Sequence, residues 1–162
     1  MSLAVASQQP PVDLAEVDAL LASHPRVEAS LIQVLQDINK KYNYLPCVAL
    51  ERVAATLGLP IAKVFSVATF YKAFSVKPRG KVIIRVCVGT ACHIRGAPLL
   101  VDEVTRRLGI TSGETTKDMG FTLETVNCVG ACAMAPVVIR GAKHHGSVAP
   151  SDVAGIIQGK GP

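Results

Sequence analysis

Two pairs of cysteines, each placed just after a short apolar run, constrain this chain more than any other feature. The first pair stands in Val86-Cys87-Val88-Gly89-Thr90-Ala91-Cys92-His93, the second in Asn127-Cys128-Val129-Gly130-Ala131-Cys132-Ala133-Met134-Ala135-Pro136. The runs before them, Lys81 to Val86 and Phe121 to Val126, are short and rich in β-branched residues, which predicts strands. Between them Pro98 to Leu108 predicts a helix, with Leu99, Leu100, Val104 and Leu108 as its apolar residues and Gly109 as its stop. Strand, helix and strand at this length form a βαβ unit with parallel strands. Parallel strands end at one edge of the sheet, where α/β sheets carry their sites. The topology therefore brings Cys87 and Cys92 close to Cys128 and Cys132, and the fold class is α/β.

Four thiols at one edge suit a thiophilic metal, a cluster or redox chemistry. The chain begins Met1 to Pro11 without a basic stretch followed by an apolar one, so no secretory signal is expected, and five cysteines then argue against a disulfide framework. The spacings CxxxxC and CxxxC fit structural zinc loosely and depart from the CxxC of thiol oxidoreductases. Both loops are rich in small residues: Gly89, Ala91, Gly130 and Ala131 let backbone N–H groups approach a bound centre. A tetrathiolate [2Fe–2S] centre is anionic, and N–H groups aimed at its sulfurs stabilise it and tune its potential. The spacing thus favours iron–sulfur, with zinc and a dithiol pair as alternatives. His93 reads as a residue beside the loop, because four cysteines already complete the ligand set. Thr90 either donates toward the cluster or caps the helix after it. Cys47, next to Pro46, reads as a small buried or half-buried hydrophobe.

The N-terminal half has a different period. After a loose leader over residues 1–11, Val12, Leu14, Val17, Leu20 and Leu21 predict a short helix. Val27, Leu31, Val34, Leu35 and Ile38 predict a second, with Asn43 as a left-handed cap. A third runs from Pro46 to Gly58 on Leu50, Val53, Ala54 and Leu57. A fourth starts at Pro60 on Ile61, Val64, Phe65, Ala68 and Phe70. The expected organisation is a leader 1–11, a helical bundle 12–76 and a second domain 77–162. Within that domain Pro136 to Arg140 predicts a third strand, 142–146 a turn with His144 and His145 solvated, and Ser151 the cap of a last helix.

Composition excludes several classes. Hydrophobic residues make up 49% of the chain and charged residues 18%, which suits a globular protein with a core. No apolar stretch is long enough to span a bilayer, so no direct membrane insertion is expected. The net charge of +5 is scattered over short pairs and there is no Trp, which argues against nucleic-acid binding. No Gly-rich phosphate loop and no nucleophile–base pair are present, so no complete active site is expected on this chain alone.

The segments VCVGTACHIRGA, GETTKDMGFTLE and VNCVGACAMAPVV, with YNYLP and LGLPIAKVFSVATFYKAFSVKPRGK upstream, resemble the 24-kDa subunit family of NADH:quinone oxidoreductase. Counterparts in that family serve NAD-linked formate dehydrogenases and electron-bifurcating hydrogenases. The likeness runs from about residue 25 to 158. It implies a thioredoxin-like ferredoxin domain preceded by a helical bundle, and one [2Fe–2S] cluster on Cys87, Cys92, Cys128 and Cys132. It also implies a cytoplasmic electron-transfer subunit of an oxidoreductase, peripheral to a membrane only through partners. Its partners would be a larger iron–sulfur subunit holding FMN and the NADH site, and further subunits of the complex. Ala133-Met134 and Lys117-Asp118-Met119-Gly120 depart slightly from the family pattern, and neither touches a ligand position.

Overall fold

The structure, a computed structural model, describes residues 12–160. The expected leader, 1–11, lies outside them. The chain divides between Arg79 and Gly80 into two compact units.

The first unit is helical: α1 (Leu14–Ala22), α2 (Leu31–Tyr42), α3 (Cys47–Leu57) and α4 (Ile61–Phe70). The Asp13 carboxylate caps α1 by accepting the Ala15 N–H at 2.8 Å. Asn43, at φ 65°, ends α2 in the left-handed conformation, and Gly58, at φ 64°, ends α3. Pro46 and Pro60 precede α3 and α4, where a missing N–H costs nothing. Val17, Leu21, Val34, Leu35, Ile38, Leu50, Val53 and Val64 are buried together. Each fully buried aliphatic side chain contributes roughly 1.5–3 kcal/mol.

Four residues expected on the apolar faces of the bundle are exposed: Leu14, Val27, Ile61 and Phe70. Val27 precedes a 3₁₀ turn (Glu28–Ser30) in extended backbone and is exposed. Phe70 is the last residue of α4 and is 79% exposed, since Val64 and Ala68 define the inward stripe.

The second unit is a four-stranded sheet of order β2-β1-β3-β4, with β1 (Val82–Cys87), β2 (Phe121–Val126), β3 (Val138–Arg140) and β4 (Lys143–His145). As the βαβ reading requires, β1 and β2 are parallel; β3 runs antiparallel to β1, and β4 to β3. α5 (Thr90–Ile94) and α6 (Ala97–Leu108) connect β1 to β2, and α7 (Val153–Ile157) closes the unit. The core joins Ile84, Val86 and Leu123 of the sheet to Leu100 and Val104 of α6 and to Val153 and Ile156 of α7.

Several local expectations fail here for identifiable reasons. The inward stripe of α6 is Ala97, Leu100 and Val104, which leaves Leu99 on the outer side, 61% exposed. The expected turn over 142–146 holds β4: Gly141, at φ 59°, reverses the chain, and Lys143 to His145 pair with β3. Strand alternation then sends His144 outward and buries His145, which sits opposite Val138. The start of the last helical segment is held by Asp152, whose carboxylate accepts the Ala149 N–H at 2.9 Å, and not by Ser151.

Candidate metal centre

β1 ends on Cys87 and β2 on Val126, and these two residues are register partners. The Val88 N–H donates to the Val126 carbonyl at 2.8 Å, so the ladder continues one step beyond β1. Cys128 therefore follows two residues after the partner of Cys87. The Cys87 N–H donates to the Val137 carbonyl at 3.0 Å, which ties in the residue before β3. Cys92 is carried by α5, a five-residue helix opened by Gly89.

The two cysteine loops touch. A Cβ added at Gly89 would lie 3.0 Å from both Cα and Cβ of Cys128, so only a residue without a side chain lets the backbones approach this closely. Cys87 and Cys92 are buried, whereas Cys128 and Cys132 are exposed. The sulfurs of Cys128 and Cys132 are 3.4 Å apart, the Cys87 thiol donates to the Asn127 carbonyl at 3.6 Å, and Cys87 and Cys92 interact electrostatically. Among the described residues, no three of His, Cys, Asp and Glu converge as ligands of a single ion.

Backbone donors surround the sulfurs. The Gly130 N–H points at Cys128 Sγ, 3.4 Å away. Burial pushes the Cys87 thiol up, but hydrogen bonds from the Gly89 and Val129 N–H groups and from Cys92 outweigh it, and its pKa falls below the ordinary range. Val129 lies in the other loop, so this bond crosses between them. Cys92 is pushed up by burial and by Cys87, against a lowering hydrogen bond from the Val137 N–H; the charges of Cys87 and Cys132 add to the rise. Cys132 is raised first by its hydrogen bond and charge interaction with Cys128, and further by burial and the charge of Cys87. The Cys87 thiolate therefore forms readily, whereas Cys92 and Cys132 ionise against repulsion. A cationic centre removes that repulsion, which is the donor chemistry a metal–thiolate cluster requires. Two pairs of sulfurs with N–H groups aimed at them suit a two-iron centre held by four thiolates.

The other residues singled out from sequence lie around this arrangement or elsewhere. His93 and Thr90 are exposed on α5, and Thr90 makes no cap, because Gly89 holds that position. His144 is exposed on β4. Cys47, half-buried, is the first residue of α3 in the helical unit. Sequence reasoning missed the Val137 carbonyl and the Val129 N–H as parts of the site. Backbone groups leave no mark in residue identity, although their position two or fewer residues from a strand end or a cysteine pointed to them.

A fold of this topology, with four thiols in the loops at one sheet edge, defines a small α/β protein with a thiol-rich site. The family model for thioredoxin-like [2Fe-2S] ferredoxins matches residues 17–160, and the chain belongs to that family. It is 39% identical over 142 residues to the NADP-reducing hydrogenase subunit HndA of Solidesulfovibrio fructosivorans, covering 88% of this chain and 83% of the relative. It is 38% identical over 133 residues to an NADH-quinone oxidoreductase subunit of Rhizobium meliloti (strain 1021), covering 82% of this chain and 79% of the relative. In fold it is similar to a chain of an NAD+-reducing [NiFe]-hydrogenase in the H2-reduced state, with a TM-score of 0.70 at 19% identity. That match covers 83% of this chain and 22% of the hydrogenase chain.

Proposed function

We propose that this chain is the electron-transfer subunit of an NAD(H)-linked flavin and iron–sulfur oxidoreductase. In this reading Cys87 and Cys92 hold one iron of a [2Fe–2S] cluster, and Cys128 and Cys132 hold the other. The observation that carries it is the pairing of the thiols at one sheet edge, with N–H groups of both loops directed at them. The names of the two relatives, each a subunit of an NAD(P)H-linked oxidoreductase, supply the setting.

When bound, the cluster supplies a centre that accepts and releases single electrons. This chain's residues set its place and its potential. Cys87 and Cys92, buried in the second unit's core, exclude water from one half of the site. The N–H groups of Gly89, Val129, Gly130 and Val137 present partial positive charge to the sulfurs and favour the more negative state. Cys128 and Cys132 reach the surface and give a partner its shortest approach. The partner is a larger subunit carrying FMN, the NADH site and its own iron–sulfur cluster. FMN held there would supply the hydride chemistry, so the substrate chemistry belongs to that subunit. The helical unit serves as the docking element. Among the described residues no helix is long and apolar enough to cross a membrane. A zinc-held assembly module, the alternative from sequence, gains nothing from the family match.

The test is reduction by NADH, followed in the visible absorbance of the chain. Bleaching that requires the flavin subunit supports the reading; an absorbance that NADH leaves unchanged with that subunit present contradicts it.

A further inference from the structure

The chain has four phenylalanines and three tyrosines, and three of these rings fall within five residues at the end of α4. Phe70 and Tyr71 meet edge to face at 5.1 Å, and Tyr71 meets Phe74 at 5.9 Å. The three differ in burial. Phe74 packs against the core of the helical unit, Tyr71 is 41% exposed and Phe70 is 79% exposed. The backbone fixes their order: Tyr71 leaves the helix in extended conformation, and the Phe74 N–H donates to the Tyr71 carbonyl at 3.0 Å. An anchored ring thus supports a half-exposed one, which supports a nearly free one. Rings held in this way lose little freedom on binding, and aromatic anchors dominate the energetics of interfaces.

Along the sequence, the charges on either side of the rings have one sign. From Arg52 to Val101 the sequence holds eight Lys or Arg residues and no Asp or Glu. Two of the eight are engaged within the helical unit, Arg52 with Asp18 and Lys63 with Glu28. Lys72, between Tyr71 and Phe74, and Lys77, just after Phe74, are exposed and make no ion pair among the described residues. Two such lysines are too few for a phosphate-tracking surface, and with three clustered rings they suit a protein surface with an apolar pocket and an acidic rim.

We propose that Phe70 and Tyr71, with Lys72 and Lys77, form the docking surface for the flavin-binding subunit, which receives the rings in an apolar pocket rimmed by Asp or Glu. This rests on the electron-transfer reading above and names the contact through which the helical unit docks. The rings supply the affinity, and the lysines supply orientation and a salt-dependent association rate.

The test uses the full-length, cluster-loaded chain and the separately purified flavin-binding subunit. The Phe70→Ala/Tyr71→Ala double variant is expected to weaken binding at least tenfold, while the chain's own EPR signal on reduction and its melting temperature stay as in the wild type. In a second variant, Lys72→Glu/Lys77→Glu, affinity is expected to fall at low salt and to lose most of its dependence on ionic strength. Unchanged affinity in the ring variant, or an unchanged salt dependence in the lysine variant, overturns the assignment. So does a concentration-dependent dimer of this chain that the ring variant abolishes, because the surface would then receive a second copy. Binding of the chain to vesicles of anionic lipid through these residues also overturns it. A chain that shows no reducible cluster contradicts the electron-transfer reading itself, whereas the outcomes above leave that reading standing and reject only this surface.

Discussion

Gly89 stands directly against Cys128: a methyl group on the first would lie 3.0 Å from Cα and Cβ of the second. The backbone at Gly89, at φ −59°, suits any residue, so the restriction is purely one of space. Gly89→Ala must therefore push the two cysteine loops apart by a few tenths of an ångström. Overpacking of this kind costs about 1–3 kcal/mol. The variant should melt several degrees lower and lose its visible absorbance to a chelator faster than the wild type. Wild-type behaviour in both measurements would mean that the loops yield freely and that their contact does not hold the centre together.

Cys87, Cys92, Cys128 and Cys132 all lie in the sheet unit, whereas Cys47 belongs to the helical unit. Cys→Ser at 87, 92, 128 or 132 should in each case abolish or strongly alter the visible and EPR spectra of the reconstituted protein. Cys47→Ser should leave both spectra intact. Bleaching by the Cys47 change, or loss at only two of the four positions, would replace the ligand set with a different one.

Residues 75–162 carry the sheet, both cysteine loops and a core that draws only on their own side chains. A chain cut to these residues should still take up a cluster, read by its absorbance, but should no longer co-purify with the flavin subunit. Full co-purification would move docking from the helical unit to the sheet unit.

Asp118 offers a check on the turn before β2. Its carboxylate is held below the usual range by the Thr116 hydroxyl, by the Gly120 N–H at 3.0 Å and by the charge of Lys81, while Met119 takes the left-handed conformation at φ 56°. A carboxylate whose folded pKa is depressed stabilises the fold above its unfolded pKa, and the contribution is lost as pH falls through the folded value. The wild type should therefore melt above Asp118→Ala at pH 7, with the gap closing as pH drops below about 4. A gap independent of pH would show that the turn is held by its backbone alone.

Much of this was readable from residue types, and the exceptions share a physical cause. The parallel β1–β2 pair followed from strand–helix–strand spacing, and Gly58, Gly109 and Asn43 ended helices where their conformational freedom suggested. The pairing of β4 did not show, because Lys143-His144-His145 has no apolar alternation; the strand exists because β3 offers it a partner. The burial of His145 follows from that pairing alone. Leu99 and Phe70 were placed inward because helical spacing counts apolar residues without knowing which face the tertiary neighbours cover. At the site, the cysteines and the small residues between them were visible, whereas the N–H groups of Val129 and Val137 were not, since every residue but proline carries one. The contrast between buried Cys87 and Cys92 and exposed Cys128 and Cys132 is set by the core beneath the loops, which spacing does not encode.

In the proposed reading four thiols hold one reducible two-iron cluster. Its most direct test is metal and sulfide analysis of anaerobically purified protein, with EPR before and after dithionite. About two irons and two sulfides per chain, with an EPR signal that appears only on reduction, are the expected result. One zinc per chain, no signal, and no change after reconstitution with iron and sulfide would contradict it.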